Sequence, residues 1–305
     1  MISYVTRFID LSDKSFFTVP KPQEDELLSS WLVRVALAHN TRPWSFCNLH
    51  FPHLHNIIFS RDLDVWANED LLAMLSKKSG LPIEMLFSLT LQSYGGILQK
   101  KILTNTGNNM LSPVVPRARK NQKHGLKYCP LCLKEGTVPY FRKTWRVSFY
   151  SICLKHKTLL LDRCCKCGKP VSFYKFKNEA GFTKCWSCGQ ELSKCTSIFV
   201  ADNEYLAIKK LSNIMVDKKY NCTNQEISAL DFFTVYHQIV KILNPLSSPN
   251  NKLSPYASLN LSVRFWEEFN NLLNGKNISA TTLKSVLTKD MTYIPPFYKM
   301  VINNL

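Results

Sequence analysis

No apolar run in the 305 residues approaches the ~18 needed to cross a bilayer, so a membrane-spanning helix is not expected. Acidic side chains are scarce, 22 against 39 Lys and Arg, and the formal net charge is +17. Such an excess points to an anionic partner, nucleic acid first and a membrane surface second. The two Gly-Lys dipeptides, Gly168-Lys169 and Gly275-Lys276, lack a following Ser or Thr, which excludes a phosphate-binding P-loop. None of the seven histidines has Glu two residues on, and Pro130 lies inside its cysteine pair rather than before it, so zinc-dependent base deamination is excluded as well. The first thirteen residues carry Arg7, Asp10 and Asp13 where a signal peptide needs apolar continuity, and the expectation is a soluble, intracellular protein.

Cysteine, by contrast, is abundant, with eleven residues mostly between 129 and 195. Cys129-Pro-Leu-Cys132, Cys153-Leu-Lys-His156, Cys164-Cys-Lys-Cys167 and Cys185-Trp-Ser-Cys188 form four pairs with two residues between ligands. That spacing lets one tight turn present both side chains to one ion, so four pairs predict two tetrahedral structural Zn²⁺ sites. A disulfide framework would need an oxidising compartment, and a catalytic zinc would need an open position. Sequential and cross-braced pairing both use all eight ligands; the intervals 132–153 and 167–185 leave room for ribbon hairpins and favour sequential pairing. Gly168 and Gly189 follow the second cysteine of their pairs, where positive φ turns N–H groups toward the thiolates. Cys165 gives an awkward bite, and Cys47, Cys195 and Cys222 read as apolar core thiols.

The positive charge is concentrated. Residues 114–175 hold fifteen Lys and Arg against Glu135 and Asp162. Arg117, Arg119, Lys120, Lys123, Arg142, Lys143 and Arg146 are the expected contacts to phosphates or to an acidic protein surface. The interleaved Tyr128, Tyr140, Phe141, Trp145, Phe149 and Tyr150 are read as core.

Periodicity predicts a helix over 22–40 with Glu24, Asp25 and Glu26 at its positive end, and a helix-turn-helix-like pair over 68–78 and 82–91, punctuated by Ser79-Gly80 and Pro82. The second helix has Glu84 and no basic residue, which suits protein contact better than base reading. His39, His50, His53 and His55 are expected to be structural. Beyond the metal region, helices are predicted over 203–215, 224–243, 262–273 and 279–287, with an aromatic stripe of Phe265, Trp266 and Phe269 in the core. The fold expected is mainly α with small β zinc ribbons. It divides into an N-terminal helical domain (1–112), a basic tandem zinc-binding region (113–198) and a C-terminal helical domain (199–305).

The element Pro22-Gln-Glu-Asp-Glu-Leu-Leu-Ser-Ser-Trp-Leu-Val-Arg34 resembles the TniQ family, which includes the TnsD target selectors. So does the block Tyr128-Cys-Pro-Leu-Cys132, Pro139-Tyr-Phe-Arg142, Trp145-Arg146, Cys153-Leu-Lys-His156 and Leu159-Leu-Leu-Asp-Arg-Cys-Cys-Lys-Cys-Gly168. The resemblance implies a non-enzymatic adaptor in DNA transposition, with no catalytic residues. Its partners would be the AAA+ ATPase TnsC and a Cascade-like CRISPR complex with guide RNA, or target DNA directly, as in TnsD proteins. A length of 305 residues favours the RNA-guided kind. A head-to-tail homodimer is implied too, with the N-terminal helix-turn-helix of one protomer against the zinc-bearing domain of the other, in a bacterial, cytoplasmic setting. Segments 22–34 and 68–91 are the surfaces expected to assemble with the ATPase and the guide complex.

Overall fold

The computed structural model describes residues 14–54, 58, 60–104, 108–114, 125–172, 175, 183–222, 225–243 and 254–273. In chain order the helices are α1 (Leu28–Ala38), α2 (Pro43–His50), α3 (Leu63–Trp66), α4 (Glu69–Ser79), α5 (Ile83–Ser88), α6 (Pro130–Glu135), α7 (Asp202–Asp217), α8 (Ala229–Leu243) and α9 (Pro255–Leu273). Two antiparallel hairpins complete the set, β1 (Ile152–Cys153) with β2 (Thr158–Leu159), and β3 (Lys219–Cys222) with β4 (Gln225–Ser228). The class is mainly α with small β parts, as the sequence indicated. No helix among the described residues is long and apolar enough to cross a membrane.

α1 is the central strut. Leu28, Ser29, Ser30, Trp31, Leu32, Val33, Val35 and Ala36 are all buried, so it is apolar nearly all round. Its two buried serines are matched by carboxylates: Ser29 donates N–H and hydroxyl to Asp64 at 2.8 Å each, and Ser30 donates to Glu26 at 2.8 Å. The helix starts later than its composition suggested, because Asp25 adopts a left-handed conformation (φ 58°) that turns the chain before Leu28. Asp25 and Glu26 therefore do not serve the helix dipole. Glu26 is fully buried, accepts from Gln23 N–H, Ser30 and Arg34, and has its carboxyl pushed up by burial. Segment 22–34, expected as an assembly surface, is thus largely core.

α4 begins where the Asn68 side chain accepts from Leu71 N–H at 3.1 Å, and carries Glu69 and Asp70 in its first turn and Lys77 and Lys78 in its last. It ends on Gly80 at φ 72°, a left-handed cap that a side chain rarely adopts. α5 follows Pro82 and packs on α4 through the buried Leu86. It is six residues long, shorter than the 82–91 expected, and a 3₁₀ turn (Leu91–Tyr94) takes up the remainder.

In the C-terminal part, residues 225–228 form a strand rather than the start of a helix, and α9 begins at Pro255, seven residues earlier than predicted. The predicted helix over 279–287 lies outside the described residues. Phe232, Phe233, Tyr236, Phe265, Trp266 and Phe269 form the aromatic core. Trp266 Nε1 donates to Ala207 O at 2.9 Å, tying α9 to α7. This core reaches the metal region: Phe149 stacks on Phe233 at 5.3 Å, and Ser258 donates to Ser148 O at 2.7 Å.

Candidate metal centres and the basic surface

Two loop-and-helix arrangements gather the cysteines. α6 opens at Cys129 and carries Cys132, while the β1–β2 hairpin carries Cys153 and, at its turn, His156. The result is one group of Cys129, Cys132, Cys153 and His156, and a second of Cys164, Cys167, Cys185 and Cys188. These are the eight residues singled out in the sequence, in the sequential grouping. Within the first group Cys132 Sγ lies 3.5 Å from Cys153 Sγ, and His156 Nδ1 lies 3.3–3.4 Å from all three sulfurs. Within the second, Cys164 to Cys188 and Cys167 to Cys185 are each 3.6 Å. A tetrahedral Zn²⁺ with bonds near 2.3 Å to sulfur and 2.0 Å to nitrogen has edges of about 3.8 Å and about 3.5 Å. Both groups fit that solid within a few tenths of an ångström and can hold a metal ion.

The electrostatics agree. Three thiols this close cannot all ionise unaided: Cys129 is driven down while Cys132 and Cys153 are driven up, Cys153 to about 11, chiefly through hydrogen bonds among themselves. A cation removes that conflict. Thr158 Oγ1 adds a contact to Cys129 at 3.6 Å. In the second group the two turns repeat one geometry. Lys166 N–H reaches Cys164 Sγ, and Ser187 N–H reaches Cys185 Sγ, each at 3.4 Å. Gly168 and Gly189 stand at φ 66° and 72° and donate back to Cys164 O and Cys185 O. The Cys167 thiol is pulled down to about 7, first by the Lys169 backbone N–H. With four protein ligands in each group, the ion's role would be to close a fold too thin to close itself.

One cysteine expectation is overturned. Cys195 is not an isolated core thiol but is disulfide-bonded to Cys165, thirty residues away. Tyr128 donates to Arg163 O at 2.9 Å and to Cys195 Sγ at 3.4 Å, so this bridge also touches the residue beside ligand Cys129. Cys47 is free and buried, its thiol pushed up by burial.

The proposed basic contacts divide. Arg117, Arg119, Lys120 and Lys123 lie outside the described residues. Arg146 is no surface residue: it is buried, ion-paired with Asp62 and Asp64, and donates to Ser112 O at 2.9 Å. Lys143 donates to Ser88 O and Ser93 Oγ, and its ammonium is disfavoured by burial. Arg142 is half-buried and lies over the Tyr140 ring at 4.7 Å. Lys127 is buried too, donating to Val147 O and Tyr150 O at 2.7 Å. The exposed cations are instead Lys134, Lys155, Lys157, Arg163, Lys166 and Lys169, ranged around the metal groups. Gly125 is wedged so tightly that a Cβ would meet Asp162 O at 2.1 Å.

Tyr128, Phe141, Trp145, Phe149 and Tyr150 are buried, as expected for core aromatics, and Tyr140 is half-buried. His39 and His50 pack among Phe16, Phe46 and Phe51, and His39 Nε2 accepts from Phe17 and Thr18 N–H, which makes them structural. His53 is exposed, and His55 lies outside the described residues. Sequence reasoning missed Glu135, 2.9 Å from His156 Nε2; its position three residues after Cys132 on α6 was the available signal. Residues 17–160 match the TniQ family model. No curated protein matches the chain.

Proposed function

We propose, from the match of residues 17–160 to the TniQ family model, that the chain is a non-enzymatic adaptor in transposition target selection. In this reading it links an RNA-guided, Cascade-like complex to the AAA+ regulator TnsC, and two structural Zn²⁺ ions hold its thin lobes.

The observation that favours an adaptor over a direct DNA reader is the exposed face of α5. Glu84, Met85, Phe87 and Ser88 face solvent on it, with neither the basic nor the amide side chains that read base edges. An apolar patch beside an acidic residue suits a protein surface. The exposed lysines around the metal groups supply a separate, sequence-independent attraction to nucleic acid.

Reconstituted guided integration tests this. The expected result is loss of targeted insertion when this chain alone is omitted, and recovery when it is restored. Insertion at the normal level and target without it would overturn the adaptor reading. Selective binding to one duplex with no contact to a guide complex would replace it with a TnsD-like direct selector.

A further inference from the structure

We propose that the two metal groups hold their ions with unequal firmness, and that Glu135 is a positioning residue that makes the first group the firm one. The inference rests on the metal reading of the two groups.

The first group is closed by side chains. His156 turns Nδ1 toward the three sulfurs, which leaves Nε2 to carry the proton and donate it to Glu135 Oε2 at 2.9 Å. A ligand imidazole held by a carboxylate keeps one tautomer and one ring orientation, and is a better donor to the metal. Glu135 is itself held: Lys155 Nζ lies 2.8 Å from the same oxygen, and α6 fixes its distance from Cys132. Three thiolates and one dication leave a net −1, Glu135 makes it −2, and its partner Lys155 returns it to −1. Cys129 and Cys153 are buried, which keeps water and competing ligands away.

The second group shares the feature of two buried cysteines, Cys164 and Cys185, but lacks a carboxylate-held imidazole. Four thiolates and one dication leave −2, and the described partners of its sulfurs are backbone N–H groups of Lys166, Ser187, Lys169 and Gln190. Cys167 and Cys188 are exposed. A chelator can approach those two sulfurs from solvent, whereas in the other group it must also displace an imidazole that Glu135 holds in place.

The experiment follows zinc release from the loaded full-length chain into a chromogenic chelator. Two phases of one ion each are expected, the fast one removed by Cys185→Ser and the slow one by Cys132→Ser. Glu135→Ala should weaken the slowly released ion by about ten- to a hundredfold, with the fast phase unchanged as the control for an intact fold. Glu135→Gln keeps an oxygen acceptor and should recover part of the loss. The imidazole Nε2–H proton should be visible by NMR in the parent and in Glu135→Gln, and lost to solvent exchange in Glu135→Ala. A single release rate, a fast phase assigned to the first group, or a slow phase indifferent to Glu135→Ala would overturn the proposal while leaving two bound ions. Protein that binds no zinc would overturn the metal reading and this proposal with it.

Discussion

Arg146 Nη1 stands 3.0 Å from Asp64 Oδ2, and both side chains are only 2% exposed. The two residues are 82 positions apart. Their pairing joins the metal region to the α1 layer, because Asp64 also accepts from Ser29 on α1. The same guanidinium pairs with Asp62 and donates to Ser112 O. A buried pair of this kind gains little over an apolar replacement of both partners, yet losing one member strands the other.

Arg146→Met should therefore destabilise the protein by about 3–5 kcal/mol. Chemical denaturation of metal-loaded protein measures it. A loss below about 1 kcal/mol would mean that the pair is open to solvent.

Burial drives the Asp64 carboxyl up to about 6, from an ordinary value of 3.8, against the opposing pull of Arg146. An acid whose folded value is raised binds its proton more tightly when folded. Its contribution is fully present below about 4 and is lost as pH rises through about 6, so stability attributable to Asp64 falls across that window. Asp64→Asn should flatten the stability profile between those limits, which unfolding curves at stepped pH would record.

Elemental analysis of undamaged protein should return two zinc ions per chain, and one after Cys132→Ser or Cys185→Ser. The lobe around the altered group should become protease-sensitive without affecting the other.

Alkylation in denaturant after chelation should modify nine of the eleven cysteines, and all eleven once reductant is added. Cys195→Ser should remove that difference. In metal-free protein the lost bridge should cost about 3–4 kcal/mol for a thirty-residue loop. The cost should be smaller in loaded protein, because the second metal group already closes most of the same loop.

Lys166→Glu combined with Lys169→Glu should weaken binding to any duplex alike and flatten its salt dependence, by about 0.9 in log–log slope for each phosphate no longer neutralised. Met85→Glu with Phe87→Glu should leave that binding and the zinc content unchanged while abolishing guided insertion. Duplex titrations over a salt series and the integration assay separate the two.

The ligands were legible because metal geometry is written in local spacing: each pair sits within four residues, and the two glycines mark their turns. Arg146, Asp64 and Asp62 were not, since their proximity arises only when distant segments pack, and an arginine in a basic stretch reads as surface. The Cys165–Cys195 bridge was hidden for the same reason, with no spacing rule linking its ends. The start of α1 was misplaced because three consecutive acids imitate a helix N-terminus, whereas Asp25 spends its carboxylate on Thr144 across the core. The short β1–β2 hairpin also sits within the second ligand pair, not in the long interval before it.

The strand-like segment 198–200 completes the hairpin that carries His156: Leu159 N–H donates to Ile198 O, and Val200 N–H donates to Lys157 O. Four residues ahead of Cys153, Phe149 is clasped by Phe233 and Tyr236. A chain cut at residue 198 would therefore lose backing on two sides of its first metal group, and a truncation made to map partners would report misfolding instead. Dissection of this protein calls for point substitutions on the outer faces of α7 and α9, with both helices kept in place.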